Sequence, residues 1–308
     1  MSSAATTFRL RLPATSANLG PGFDAAAIAL SFALQIEAKS ATEFSIQASG
    51  LDSDQCSRLE NNLILGIYRN ILESHAKPVI PLAIRMHNEI PLGMGCGSSA
   101  AGRLAAIALA VHFGRLDWTS ERILEEACDL EGHPDNAAAC WLGGFVAAAN
   151  EGRRVHVARV EPPASWRAIV VLPQESLSTS KARAVLPGNY SSSDVVANLQ
   201  AVSMLGLAFA QQRGDLLRVA MQDRIHQPYR KEMCPMLPVL LPLAGKNGIL
   251  GVSLSGAGPS ILVIVESEAS LAAASESIMN AMGCVPQPSL LVCCFNASGA
   301  RRSLDPVM

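Results

Sequence analysis

Three glycines at alternate positions, Gly93, Gly95 and Gly97, run straight into Ser98-Ser99 and an Ala-rich stretch (PLGMGCGSSAAGRLAAIALA, 91–110). Glycine takes positive φ and lets a ligand approach the backbone with no Cβ in the way. Alanine and leucine favour helix, so the spacing predicts a helix from Ser98 or Ser99 to about Val111. A helix start leaves its first amide N–H groups unpaired and partly positive, and a glycine-rich lead-in lets them hold phosphate oxygens. A plain tight turn before a buried helix fits the same glycines. Two other phosphate loops do not fit. A P-loop needs lysine after the last glycine, but no lysine lies between Lys77 and Lys181. The Rossmann pattern is a poor match, and Asp117, at about the right distance for its ribose acid, sits in GRLDWTS, a turn and helix cap rather than a strand end.

A second signal is EGHPDN, Glu131–Asn136. An acid at the end of a helix opposes the helix dipole, and one reason to tolerate it is a bound cation. Magnesium takes one or two carboxylates, with phosphate oxygens and water completing its shell. Glu125 and Glu126 are nearby rivals that read as a solvated helix face, and a lone histidine such as His133 is ordinarily structural. Asn62 read by itself is a helix cap.

Taken together, Pro-x-Gly-x-Gly-x-Gly-Ser-Ser-Ala-Ala resembles the second motif of the GHMP small-molecule kinases, with Cys96 where leucine is usual. PATSANLGPGFD (13–24) is similar to the first motif of its homoserine kinase members. Asn62-Leu63-Ile64, EGHPDN with Ala127 and Glu131, the STSKARAVLP segment (178–187), the Pro228-x-Arg230 segment and SGAGPS (255–260) match further family segments in order. The resemblance implies a two-domain α+β GHMP fold, with a ribosomal S5 domain 2-like N-terminal domain (1–162) and a ferredoxin-like C-terminal domain (163–308). It implies ATP as cosubstrate, bound by Asn62, Pro91, Leu92, Gly93, Met94, Gly95, Cys96, Gly97, Ser98, Ser99, Ala100 and Ala101. It also implies Mg²⁺ held by Ser99 and Glu131. The implied reaction phosphorylates the hydroxyl of L-homoserine, the alternative being another small alcohol such as threonine or mevalonate. Asn18, Asp24 and Asp135 would receive the ammonium group and Arg183 and Arg230 the carboxylate, since guanidinium binds carboxylate in a planar, bidentate way. His133 belongs to the same loop, and Asn136 would position the hydroxyl. As a neutral amide Asn136 accepts no proton, and the base is left open between Asp135, His133 and the phosphate itself.

These residues need elements to position them. Leu82, Ile84 and Met86 alternate with polar residues, giving a strand into the glycine loop. Phe8, Leu10 and Leu12 predict a strand ending at Pro13, followed by a polar loop over 14–24. Ala29–Ala38 reads as a strand with Phe44–Ala48 as its partner. Helices are expected over 61–75, from Thr119 to about Glu131, over 194–213, 215–222 and 269–282, and strands at 146–149, 155–160, 166–172 and 289–295. Strands flanking SGAGPS would let its glycines pack against the phosphate loop. Pro162-Pro163 marks the domain boundary.

A chain of 308 residues suits two domains. With 49% hydrophobic and 16% charged residues it fits a globule with a large core. A net charge of −2 argues against nucleic acid or an anionic membrane as partner. No apolar run of about 18 residues and no signal peptide stand out, so a cytoplasmic protein is expected. Eight cysteines without a CxxC pair read as reduced and mostly buried. Dimerisation is common among the proteins it resembles, and a homodimer is entertained on that ground alone.

Overall fold

The computed structural model describes residues 7–283 and 287–305. Alternation in Phe8, Leu10 and Leu12 produces β1, but the strand runs on over Thr7–Asn18, through Pro13 and into the expected loop. Register shifts at Pro13/Thr15 and Ala17/Asn18 accommodate it, because an irregularity needs no ladder donor from proline. After a tight turn β2 spans Gly22–Ser40 and β3 spans Ser45–Gly50. Two helices follow, α1 (Ser53–Cys56) and α2 (Leu63–Ser74), and then β4 (Leu82–Asn88). β3 does not partner β2 as expected. It pairs in parallel with β4, whose other edge is on β2, since the helical crossover between them permits a parallel return.

The Ala-rich run forms α3 (Ser98–Phe113), buried almost all round, as a helix apolar on every side must be. Next come α4 (Ser120–Glu131), capped by Thr119, and α5 (Asp135–Leu142). The hairpin of β5 (Phe145–Glu151) and β6 (Arg154–Val160) joins the sheet through β2. Helices α3 and α5 pack on β1 and β2, with α2 and α4 flanking α3.

The second half opens with β7 (Arg167–Leu172). It continues through α6 (Thr179–Ala184), α7 (Ser192–Ala210), α8 (Leu217–Ala220), α9 (Gln227–Arg230) and α10 (Met236–Leu240). Strands β8 (Ile249–Leu254) and β9 (Ile261–Val265), helix α11 (Leu271–Met282) and β10 (Ser289–Cys293) complete an antiparallel sheet of order β10-β7-β9-β8. That strand order, with helices between, is the ferredoxin-like arrangement. The last strand, β11 (Arg301–Asp305), does not stay with the 163–308 unit. It returns to pair with β1 in the first sheet.

The two sheets share a core in which Phe209 stacks on Phe145 at 4.3 Å and meets Trp166 at 5.5 Å. Phe209 lies on α7, whose 19 residues are long and apolar enough to cross a membrane by length and composition, a run the sequence reading did not expect. Leu205, Ala208 and Phe209 on its inner side are buried in the core. Among the described residues every cysteine is free. Cys294 is exposed, Cys56 half-buried and the others buried, while Cys284 lies outside the described residues.

Candidate active site

β4 delivers the chain to the glycine loop through Asn88, whose side chain donates to the Leu51 and Ile90 carbonyls at 3.0 and 2.9 Å. Gly93, Gly95 and Gly97 take φ of 69°, 75° and 73°, as the sequence anticipates. Gly97 is the N-cap of α3 and no side chain caps that end, so the leading amides face the cleft without a side-chain competitor. The SGAGPS loop packs against this one. Ser255 Oγ donates to the Gly95 carbonyl at 2.7 Å and lies 2.8 Å from Ser16 Oγ. Space is tight. A Cβ on Gly97 would sit 1.9 Å from Thr15 Oγ1, and that hydroxyl donates to Asn136 Oδ1 at 2.6 Å. Gly97→Ala is expected to destabilise the protein by roughly 1–3 kcal/mol from the positive φ alone, and to lower turnover by dislodging Thr15 from Asn136. Melting temperature and steady-state rate read the two effects, and wild-type values of both would show that the loop yields.

A cleft of about 460 Å³ lies between the glycine loop and the segments at 177–183, Arg230 and 256–258. Its lining takes in the loop residues Leu92, Gly93, Gly95, Gly97, Ser98, Ser99, Ala100 and Ala101, with Asn62 beside them. Asn18, Asp24, His133, Asp135 and Asn136 line it too, with Glu131, Arg183 and Arg230. Pro91, Met94 and Cys96, expected among the nucleotide-binding residues, do not line it. Pro91 is buried, Met94 packs on the core and Cys96 is 1% exposed, its thiol pushed up to about 12 by burial. Asn62 caps α2 by accepting from the Ile64 and Leu65 amides, while its amide donates to the Arg58 carbonyl at 2.9 Å. Asn18 is likewise tied to backbone, donating to the Gly256 carbonyl at 2.8 Å and accepting from the Asp24 amide at 3.1 Å.

Glu131 ends α4, and Gly132 then takes φ 80° to turn the chain into His133. His133 Nδ1 lies 2.6 Å from Asp135 Oδ1 and its Nε2 lies 3.6 Å from Glu131 Oε2. Burial opposes protonation of His133, but the Asp135 hydrogen bond and the charges of Asp135, Glu131 and Asp24 outweigh it, so its pKa is raised. Glu131 also accepts from Arg103 Nη1 at 2.6 Å, and the same nitrogen meets Ser99 Oγ. The Arg103 charge offsets the unfavourable placement of an acid at a helix C-terminus.

Arg183, on α6, grips Asp24 with both nitrogens, at 2.8 and 2.7 Å. Arg230, at the end of α9, is 1% exposed. Both guanidinium carbons lie 5.4 Å from the centre of the Phe23 ring. Arg230 Nε donates to the Ala182 carbonyl at 3.0 Å, and its Nη1 lies 3.0 Å from His226 Nδ1. Arginine has no acceptor, so Nδ1 must accept, and the imidazole proton sits on Nε2, donating to the Gly20 carbonyl at 2.8 Å. Burial lowers the pKa of His226, with Arg230 adding to the effect against Asp223. Burial and the Arg183 charge also lower that of Arg230. Arg183 is thus engaged by the Asp24 carboxylate, whereas Arg230 bonds backbone carbonyls and His226 and feels Asp24 and Asp223 only through space.

The family model for the GHMP kinase N-terminal domain matches residues 62–144, and that for the GHMP kinase C-terminal domain matches 207–283. A homoserine kinase of Solibacter usitatus is 43% identical over 86% of this chain and 88% of its own length. The chain belongs to the GHMP kinase family. A homoserine kinase of Deinococcus radiodurans is 36% identical, with 88% and 89% covered. Among solved structures, homoserine kinase from Cytophaga hutchinsonii superposes with a TM-score of 0.82 at 24% identity, covering 96% of this chain and 97% of that one. Mevalonate kinase from L. major, in complex with R-mevalonate, gives 0.67 at 15% identity, covering 97% of each. These likenesses bear out the two-domain GHMP kinase fold read from the sequence.

Two residues of this GHMP kinase site went unread. Arg103 is signalled by its place, one turn after Ser99 on the same helix face in an otherwise apolar run. His226 stands four residues before Arg230, but its buried partnership with that arginine needs the Gly20 turn brought against it.

Proposed function

We propose that this GHMP kinase uses ATP to phosphorylate the side-chain hydroxyl of L-homoserine, giving O-phospho-L-homoserine and ADP. The observation that carries the reading is the cleft itself. An uncapped, glycine-fed helix start, two arginines and an acidic cluster all line the one space. The α3 amides and the loop N–H groups hold the triphosphate. Asp24 and Asp135 receive the ammonium group, and Arg183 and Arg230 the carboxylate. A zwitterion does this by entering the Asp24–Arg183 pair, its ammonium taking the carboxylate partner and its carboxylate the guanidinium partner, so no charge is left uncompensated. Asn18 holds the Asp24 backbone in place. Asn136, fixed by Thr15 and by its amide contacts to Asp135 Oδ1, sets the hydroxyl towards the γ-phosphate.

Magnesium fits the donor set. Ser99 Oγ and a carboxylate oxygen of Glu131 converge on one point, already the place of a cationic nitrogen, and hydroxyl and carboxylate oxygens suit a hard ion. When bound there, it would supply charge neutralisation for the phosphates. Phosphoryl transfer proceeds through a loose transition state, so positioning and charge supply most of the acceleration.

Homoserine, threonine, serine and mevalonate all offer Arg230 a carboxylate, so what sets the amino acids apart from mevalonate is the ammonium group, for which Asp24 and Asp135 line the cleft. The test is ADP release over a panel of homoserine, threonine, serine and mevalonate. Homoserine is expected to give the highest kcat/KM, and mevalonate none above background. A preference for mevalonate would overturn the assignment.

A further inference from the structure

Arg103 has no part in the phosphoryl-transfer reading, yet it lies at that reading's centre. It is set one helical turn after Ser99 on α3, and its Nη1 contacts Ser99 Oγ and lies 2.6 Å from Glu131 Oε1. Its side chain is 22% exposed and that of Glu131 only 8%. A metal ion bound to the same two oxygens would stand about 2.0–2.1 Å from each, in space this guanidinium nitrogen holds. The two cations exclude one another. Glu131 still needs a positive partner, because a carboxylate this buried is costly when uncompensated, and His133 approaches only to 3.6 Å.

We propose that Arg103 competes with the divalent ion for Ser99 and Glu131, so that metal enters as the metal–nucleotide complex and not ahead of it. A free ion arriving alone must expel a guanidinium and leave it without an anion in a partly buried place. A metal–nucleotide complex brings polyphosphate charge with it, which compensates the arginine it displaces. The inference rests on Ser99 and Glu131 being the metal ligands, and it adds an order of entry set by one residue of this chain.

The experiment is direct Mn²⁺ binding to the whole protein without nucleotide, followed by electron paramagnetic resonance of the free ion. It is repeated with ADP present. Wild type is expected to bind Mn²⁺ weakly alone and well with ADP. Arg103→Met should bind Mn²⁺ alone at least about tenfold more tightly than wild type, and adding Glu131→Gln should remove that gain. Arg103→Gln serves as the second variant if the methionine protein melts early. Nucleotide-free Mn²⁺ affinity equal to wild type in both Arg103 variants overturns the competition, and so does a gain that survives Glu131→Gln. Mn²⁺–ADP binding by Glu131→Gln that matches wild type would instead remove Glu131 as a ligand, which separates failure of the metal assignment from failure of the competition.

Discussion

Glu131→Gln should lower turnover at least about 100-fold at saturating ATP and Mg²⁺. The amide keeps the size of the side chain but loses the charge that faces Ser99, so a cation between them is held by one neutral oxygen and one hydroxyl. The same change removes the partner of Arg103 and weakens the pull on His133. The measurement is ADP release with homoserine saturating, alongside a melting curve to show that α4 still ends in the turn at Gly132. Glu125→Gln is the control. Glu125 lies six residues back on the same helix and does not line the cleft, so its variant should turn over as wild type does. Near-normal turnover by Glu131→Gln would refute its role.

Arg230→Met should act on substrate binding more than on the chemical step. The guanidinium is buried against Phe23, where its attraction for a carboxylate is little screened, and methionine refills much of the volume. Half-saturation for homoserine should rise by roughly 30- to 1000-fold, on the order of 2–4 kcal/mol for a buried charged partner removed. Half-saturation for ATP should change much less, because Arg230 hydrogen-bonds Ala182, His226 and Gly256 and no residue of the glycine loop. The loss also strips His226 Nδ1 and the Ala182 carbonyl of a donor, so a lower melting temperature is expected as well. An unchanged homoserine half-saturation would remove Arg230 from the site.

Much of this arrangement could be read from the chain because its signals are local. The glycine triplet announces positive φ, the Ala run announces a buried helix, and Thr119 announces a cap, all within a few residues of one another. What escaped was set by distant partners. Pro13 looked like a strand end, and only the register shift beside it lets β1 continue to Asn18. Phe44–Ala48 looked like a partner for the preceding strand because hairpins are the short-range default, but β2 is occupied by β1 and β4. Pro91, Met94 and Cys96 belong to the right motif, yet the turns made by the positive-φ glycines between them direct these side chains into the protein, which spacing alone does not reveal. Arg183 and Asp24 were assigned separate substrate groups from the family pattern, and no local rule says that they meet each other across 159 residues.

The return of β11 to β1 gives the newly made chain an assembly order. The cleft draws its lining from residues 17–258, but the 256–258 turn is held by β8 and β9 and their sheet is completed by β10, so the cleft waits on residues 261–293 and the edge of the first sheet on 301–305. Until 301–305 emerge, Thr7–Arg11 present an open hydrogen-bonding edge, the kind of surface that recruits stray strands. The kinase therefore leaves its most adhesive seam open until a segment from far along the chain comes back to cover it.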